Sequence, residues 1–273
     1  MAAQAPGQVP RQVPTVDAIY RYPVKGLSPE PLARVPLAAG ATLPADRLYA
    51  IENGPSGFDP AAPRHQPKQR YLMLMRNERL AQLRTRFDTD SHTLSVAADG
   101  QQAAQGDLRT PAGRAAIEHF FATFCAAELR GPPKLLHAEG FSFSDVARKV
   151  VSIINLASIA AIETVIGAPV HPLRFRANVY VAGWPAWHEL DLVGSEIAIG
   201  ASARLRVVKR IVRCAAIDVD PDTGLRDLAI PPALMRTFGH ADCGIYGEVV
   251  EGGEITVGDE LRACTPVDAR PTI

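Results

Sequence analysis

The sequence predicts an α+β fold made mostly of β-strands, with an N-terminal β-barrel-like domain packed on a C-terminal β-barrel that carries a few helices. Short apolar or alternating runs bounded by Gly and Pro recur through both halves of the chain. Few segments have helical spacing, and 273 residues are enough for two modest domains. We expect a disordered tail at residues 1–14, domains at residues 15–130 and 131–265, and a second tail at residues 266–273.

The composition argues against several classes of partner. Hydrophobic residues make up 47% and charged residues 21%, which is ordinary for a globular protein. Lys+Arg and Asp+Glu are 29 each, so no basic surplus attracts nucleic acid, and we expect no nucleic-acid partner. Residues 1–14 lack a long apolar run, and the apolar runs at 150–154 and 159–166 are too short to span a bilayer. We therefore expect a cytoplasmic protein with no membrane partner.

Short strands and two helices are predicted in the first half. Strands are expected at residues 16–24, 32–37, 47–51, 71–75 and 93–97. An amphipathic helix is expected at residues 77–87, and a second helix begins at Pro111, with an apolar stripe beside Cys125. The loop at residues 53–68 holds basic side chains, and it either lines a substrate entrance or is simply solvated. Gly26 lets the backbone of a turn come close to another group, and Lys25 offers a point charge beside it, although a solvated turn is the plainer interpretation. Asp46-Arg47 is a local ion pair of small energetic value.

The second half is predicted to be strand-rich as well. Strands are expected at residues 134–137, 150–154, 179–181, 196–199 and 205–214, and a hairpin is expected to turn at residues 251–253. Asn155 should cap a helix at residues 156–166 that ends at Gly167, and a further helix should span residues 231–238. Alternation along an entering strand would place Arg174, Arg176 and Asn178 on one face.

Cys214 is the most informative of the four cysteines. Arg213 precedes it at a predicted strand end, and the turn Asp220-Pro221-Asp222-Thr223-Gly224 follows. Cationic neighbours stabilise a thiolate, which is a soft ligand for metals; the alternative is a small buried apolar side chain. Without a CxxC pair, the cysteines predict neither a structural zinc site nor a disulfide scaffold.

An ordered set of motifs extends this pattern over almost the whole chain. It comprises Tyr22-Pro23-Val24-Lys25-Gly26, Asp46-Arg47, Arg174-Phe175-Arg176-Ala177-Asn178, Arg213-Cys214 with the turn after it, Gly244-Ile245-Tyr246 and Gly258-Asp259. The set resembles the MOSC family, the C-terminal domain of molybdenum cofactor sulfurases. It is more similar to the two-domain version found in the mitochondrial amidoxime reducing component and its bacterial relatives. Gly26, Ala177 and Leu190 depart from the family pattern, which often has Ser, Pro and a Glu-Asp pair there.

The resemblance implies a molybdenum–molybdopterin cofactor and the reduction of N-hydroxylated small molecules. Cys214 would be the metal ligand and a catalytic residue, with Tyr246 beside it unless that tyrosine is only a core or rim residue. Pyridoxal phosphate is a second cofactor associated with the family. The chain has neither an iron–sulfur cysteine run nor a GxGxxG motif, so electrons would come from a separate iron–sulfur or flavin protein. The implied cofactor-binding residues are Lys25, Arg47, Ser152, Arg174, Arg176, Asn178 and Arg213.

Two other functions remain open from the sequence. The chain could carry sulfur or mature cofactor, with a persulfide on Cys214, and would then need no electron donor. It could also be a small-ligand binding barrel without the metal, an alternative that the departures at Gly26, Ala177 and Leu190 keep open.

Overall fold

A single eight-stranded sheet organises the computed structural model, which describes residues 13–264. The elements confirm the predicted α+β class with mostly β-strands: the described residues form fifteen strands and three α-helices. The strands are β1 (Thr15–Arg21), β2 (Glu30–Leu32), β3 (Arg34–Leu37), β4 (Ala50–Asn53), β5 (Arg84–Asp88), β6 (Thr93–Ala98), β7 (Gln101–Asp107), β8 (Pro133–Leu136), β9 (Val151–Asn155), β10 (Val179–Ala182), β11 (Glu196–Ile199), β12 (Ala203–Val212), β13 (Asp242–Glu251), β14 (Gly253–Thr256) and β15 (Leu261–Cys264). The helices are α1 (Pro111–Phe124), α2 (Leu156–Ile166) and α3 (Ile230–Phe238).

The large sheet joins strands from both ends of the chain. Its order is β15-β11-β12-β13-β9-β10-β1-β2, and the pair β9–β10 is parallel whereas the other neighbours are antiparallel. Three smaller sheets contain β14-β3, β4-β8 and β5-β6-β7. Because β1 pairs with β10 and β2 pairs with the other edge of β1, residues 15–32 join the same sheet as the second half of the chain.

Two cores follow from the side-chain patterns. In β12 alternate residues are buried, so Leu205 and Val207 join Ile153 and Ile245 beneath the large sheet. A second core forms under α1, where Ile117 and Phe121 pack with residues from β5 and β6. The first of these cores contains buried residues of β9, β12 and β13, and those strands lead into the cavity described below.

The predicted helix ends agree with the structure. The Asn155 side chain accepts a hydrogen bond from the backbone N–H of Ala157 at 3.1 Å, and Gly167 ends α2 in the left-handed region. Thr110 caps α1 in the same manner, with Pro111 at its first position. No helix among residues 13–264 is both long and apolar enough to cross a membrane.

Two predictions for the first half were wrong. Residues 71–75, of which 71–74 are buried, form no strand, because only Tyr71 makes a β-bridge, to Glu52, before the chain turns. The segment at residues 77–87 is not one helix: a short 3₁₀ turn, Glu78–Gln82, is followed by β5. The apolar residues of this segment, Leu80, Leu83 and Phe87, are buried in the second core without forming one continuous helix.

Two predictions for the second half were also wrong. The turn at residues 251–253 does not close a hairpin, because β14 pairs with β3 instead of β13. Arg174 lies in a 3₁₀ turn, Pro172–Phe175, and Arg176 follows with a φ of 51°. The strand alternation expected for Arg174, Arg176 and Asn178 therefore does not exist, although all three reach the same cavity.

Candidate functional site

A cavity of about 290 Å³ opens where the end of β12 meets the loops after β1 and β8. Its wall is strongly basic. Carboxylates line it only at Asp46 and Asp145, so cationic side chains outnumber anionic ones. The cationic residues among its lining are Lys25, Arg47, Lys68, Arg174, Arg176, Lys209 and Arg213.

The Cys214 sulfur lies in this cavity, half-buried, just after β12 ends. The Nζ atom of Lys68 lies 3.2 Å from its Sγ atom. Cys125 and Cys243 differ, since burial raises the pKa of each thiol to about 12. Cys214 therefore has both the access and the cationic neighbour that a reactive thiolate needs.

Arg213, which precedes Cys214 in the chain, was expected to be the cation beside the sulfur, but its guanidinium lies elsewhere. Its Nε atom donates to the carbonyl of Cys243 at 2.7 Å and its Nη1 atom to the carbonyl of Phe175 at 2.8 Å. Its Nη2 atom is buried and has no hydrogen-bond partner among residues 13–264. A buried donor without a partner is costly, and this one lines a cavity that could hold an anionic acceptor.

Gly244 makes room for that guanidinium. Its φ of 82° lies in the left-handed region, and a Cβ atom there would lie 2.6 Å from the carbonyl oxygen of Ile153 and 3.0 Å from Nη2 of Arg213. A residue with a side chain would be strained and would crowd the arginine. The glycine of the Gly244-Ile245-Tyr246 motif is therefore explained by packing around Arg213.

Asp145 connects two lysines at the cavity mouth. Its carboxylate accepts from Lys25 in a very short contact and from Lys68 at 3.4 Å. Burial by itself would raise the pKa of the Asp145 carboxyl, but the two ammonium groups outweigh it and hold that pKa well below its usual range. Lys25 is buried, and it also donates to the carbonyl of Phe143 at 2.8 Å. Burial lowers the pKa of Lys25, an effect that Asp145 opposes.

Arg47 and Arg176 form a second cationic pair, stacked on one buried ring. Their guanidinium carbons lie 4.5 Å and 4.3 Å from the ring centre of Tyr22. Arg47 is paired with Asp46 at 2.6 Å, and its Nη2 atom donates to the carbonyl of Arg176 at 2.9 Å. Burial lowers the pKa of Arg176 to about 10. Arg176 has no carboxylate partner among residues 13–264.

Both of these arginines have left-handed backbones, with φ values of 50° and 51°. Residues other than glycine seldom adopt that conformation unless the surrounding structure enforces it, and such positions are frequent at binding sites. Gly26, beside Lys25, also has a positive φ of 83°, and a Cβ there would lie 3.0 Å from the carbonyl oxygen of Leu72. The glycine that replaces the usual serine thus suits its backbone here.

The remaining predicted cofactor residues reach the cavity with their polar groups already engaged. The Ser152 hydroxyl donates to Oδ1 of Asn178 at 2.7 Å, and Nδ2 of Asn178 donates to the carbonyl of Tyr20. Arg174 is buried, and it is paired with Asp227 at 2.8 Å and with Asp220 at 3.0 Å. These contacts stabilise the cavity wall, and they engage both Nη atoms of Arg174; its buried Nε atom has no hydrogen-bond partner among residues 13–264.

Tyr246 lines the cavity from β13, opposite Ser152 in β9. Burial raises the pKa of its hydroxyl, although the nearby Arg213 opposes this. The Nζ atom of Lys209 lies 5.8 Å from its ring centre. The structure thus brings all the predicted site residues to one cavity, and their roles stay predictions.

Sequence reasoning left three residues out of the site: Lys68, Asp145 and Lys209. Lys68 and Cys214 are 146 positions apart, so no local pattern joins them. For Lys68 the sequence offered one signal, the basic composition of the loop at residues 53–68.

A metal in this cavity would have few protein ligands. Across residues 13–264, no group of three or more His, Cys, Asp and Glu side chains could hold a metal ion. The half-buried Cys214 supplies the thiol in the cavity, and Met73 and Met75 add only neutral thioethers, so a metal held by a thiolate would need further ligands from a bound molecule.

Comparison with known proteins identifies two domains. Residues 13–128 match the MOSC N-terminal beta barrel domain and residues 138–262 match the MOSC domain. The chain is 30% identical over 123 residues to mitochondrial amidoxime reducing component 2 of Bos taurus, a match that covers 41% of this chain and 36% of that protein.

Two solved structures are also similar to this chain. The YUAD protein from Bacillus subtilis has a TM-score of 0.44 at 14% identity, covering 92% of this chain and 95% of that one. YiiM from Geobacillus stearothermophilus has a TM-score of 0.33 at 22% identity, covering 42% and 54%. At these scores neither structure supports a functional inference. On its two domain matches, the chain belongs to the MOSC-domain proteins that carry a MOSC N-terminal beta barrel domain.

Proposed function

We propose that the cavity binds a molybdenum–molybdopterin cofactor and that the protein reduces N-hydroxylated compounds such as amidoximes. One observation carries the proposal: the half-buried sulfur of Cys214 lies in a cavity lined by cations, with an ammonium group 3.2 Å away. The cofactor is anionic and brings its own sulfur ligands, so it suits a site that offers one thiolate and several cations. The substrate class comes from the similarity to the bovine amidoxime reducing component.

The cationic residues would hold the phosphate and pterin of the cofactor. Arg213 has a buried Nη2 atom without a partner in the described chain, and an anionic oxygen would satisfy it. Arg176, which no described carboxylate neutralises, offers a second guanidinium. Lys25 and Arg47 are already paired with Asp145 and Asp46, so they would share their charge between carboxylate and ligand.

When bound, the cofactor would supply the two-electron chemistry that cleaves an N–O bond. Reduction of an N-hydroxyl group takes two electrons and two protons and releases water. The protein side chains would orient the substrate and hold protons near the sulfur. The Tyr246 hydroxyl and the Lys68 ammonium are proton-bearing groups that line this cavity.

The electrons would come from a separate protein of the iron–sulfur or flavin type. Cys125 and Cys243 are buried in apolar cores, and no cluster of cysteines lies among residues 13–264. We therefore propose that a partner docks near the cavity mouth to reduce the cofactor.

Benzamidoxime reduction with a chemical reductant tests this function. Protein from a host that makes the cofactor should reduce benzamidoxime, Cys214→Ser should abolish the reaction, and Cys264→Ser should retain it as a matched thiol control. No reduction by the wild-type protein, together with cyanide-releasable sulfur on Cys214, would instead support the sulfur carrier. If mass spectrometry finds pyridoxal phosphate in place of the molybdenum cofactor, the molybdenum reductase is excluded. If it finds neither a cofactor nor cyanide-releasable sulfur on Cys214, the protein is a small-ligand binding barrel without the metal.

A further inference from the structure

A second cavity, of about 250 Å³, shares a wall with the cavity that contains Cys214. Four residues line both cavities and therefore lie at the boundary between them: Gly26, Leu74, Arg174 and Arg176. Neither Cys214 nor Tyr246 lines the second cavity, so it is separate from the sulfur at which the proposed reaction takes place. The domain matches assign it no role.

This second cavity lies between the two halves of the chain. One side is formed by residues of the segments 27–29 and 80–85, which belong to the first half. The other side is formed by Leu173 and by residues of the segment 219–222. Small-molecule sites are frequent at such junctions, because side chains from two separate units can converge there.

The interior of the second cavity is mostly apolar. Leu27, Leu80 and Val219 contribute to it and are almost completely buried. The two hydroxyl groups in the lining are already engaged. The Ser28 hydroxyl accepts from the backbone N–H of Thr85 at 2.9 Å, and the Thr85 hydroxyl accepts from the backbone N–H of Ser28 at 3.2 Å. The body of a ligand that fits here should therefore be apolar.

Two guanidinium groups give this apolar cavity one polar end. Nη2 of Arg176 donates to the carbonyl of Leu27 at 2.8 Å, and the Arg176 guanidinium makes no other hydrogen bond and no ion pair within residues 13–264. Arg174 is 4% exposed, and its Nε atom has no hydrogen-bond partner in the described chain. Both arginines thus keep N–H groups that a ligand oxygen could accept from.

The buried charges at this wall leave room for one anion. Asp220 pairs with Arg174 at 3.0 Å, and its side chain is only 20% exposed. Asp227 and Asp222 are 44% and 69% exposed, so solvent screens their charges. The two guanidinium groups therefore exceed the buried carboxylate by one charge, which a monoanion would balance.

We propose that the second cavity binds a small monocarboxylate with an apolar chain, its carboxylate on Arg176 and Arg174 and its chain against Leu27, Leu80 and Val219. The carboxylate would accept charge-assisted hydrogen bonds, and the chain would remove apolar surface from water. The site does not use Cys214, so it is testable on protein that contains neither metal nor pterin.

Octanoate is the probe, and its binding is measured by isothermal titration calorimetry on the full-length protein from a host that lacks the cofactor. Acetate should bind at least about a hundredfold more weakly, because it lacks six methylene groups. Octan-1-ol should bind at least about tenfold more weakly, because it lacks the charge. Equal binding of octanoate and acetate would reveal only a general attraction of anions to the basic cavity, and it would overturn the proposal, as would no binding of octanoate.

Two variants locate the probe. Ala81→Phe places a ring in the second cavity, which Ala81 lines, and should weaken octanoate binding at least about tenfold. Lys68→Met is the matched control, since Lys68 lines only the cavity of Cys214, and it should leave octanoate binding unchanged. The reverse pattern would put octanoate in the cavity of Cys214 and overturn the proposal.

A photoreactive octanoate analogue that carries a diazirine decides the matter if Ala81→Phe does not fold. Cross-links within segments 27–29 or 80–85, identified by peptide mass spectrometry, would support the second site. Cross-links confined to residues 209–214 would overturn it. Octanoate in the second cavity of a protein that never takes up molybdenum would support this site while removing the proposed function.

Discussion

Replacement of Gly244 by alanine should destabilise the protein far more than an ordinary Gly→Ala change at a left-handed position. The backbone penalty is about 1–2 kcal/mol for a residue with a Cβ atom at a φ of 82°. The new methyl group would also lie 2.6 Å from the carbonyl oxygen of Ile153, which belongs to a central strand and cannot move freely. Overpacking of this kind costs a further ~1–3 kcal/mol, so we expect a total loss of roughly 2–5 kcal/mol.

Gly239 provides the matched control, because its φ of 74° is similar but nothing lies within 4 Å of its hypothetical Cβ atom. Gly239→Ala should therefore carry only the backbone penalty of about 1–2 kcal/mol. Urea unfolding followed by tryptophan fluorescence measures both variants, with unchanged slopes required for a comparison of midpoints. Equal losses for the two variants would refute the argument that the Ile153 carbonyl leaves no room for a side chain at residue 244.

Three further predictions concern buried charges and thiols. Arg174→Met should lower the free energy of unfolding by roughly 1–3 kcal/mol, because it removes a buried guanidinium from the part-buried Asp220 and the more exposed Asp227. Arg204→Met removes only an exposed ion pair and should cost under about 1 kcal/mol; equal effects in chemical denaturation would contradict this. Burial raises the pKa of Glu189 despite hydrogen bonds from Asn155 and Ser158. The neutral carboxyl is therefore favoured in the folded state, and its contribution to the free energy of unfolding is complete below pH ~4.3, the ordinary pKa of a glutamate, and is lost as pH rises. Thermal unfolding across pH should accordingly show Glu189→Gln gaining stability relative to the wild type above that pH, and a constant difference would count against it. In the native protein, maleimide should label Cys214 and Cys264 and spare the buried Cys125 and Cys243, as read by peptide mass spectrometry; labelling of Cys243 before Cys214 would show that the burial is misjudged.

The sequence was sufficient to predict those elements whose ends depend on residues within the same short segment. The α2 helix is an example, since its cap at Asn155 and its end at Gly167 depend on residues within the same segment. The mostly-β class followed from short strands between turns, and it is confirmed. The division of the chain at residue 130 stays a prediction.

The sequence did not predict which strands pair when the two strands are far apart along the chain. The turn at residues 251–253 looks like a hairpin, yet β14 pairs with β3, more than 200 positions earlier. The apolar run at residues 71–75 predicts a strand, but burial without strand pairing gives the same apolar pattern over a few residues, and residues 71–74 are buried without forming one.

The candidate site shows the same limit. Arg213 was the natural choice for the cation beside Cys214 because it is the next residue, but its guanidinium is bound by backbone carbonyls. Lys68 reaches the sulfur from a distant loop, and only the folded arrangement of the 3₁₀ turns shows it.

The molybdenum content of the purified protein tests the central proposal most directly. Protein expressed in a host that makes molybdopterin should contain about one molybdenum atom per chain by elemental analysis, together with one pterin. Cys214→Ser should lose the metal, and Cys264→Ser should keep it. Wild-type protein that is folded but free of molybdenum and pterin would contradict the account.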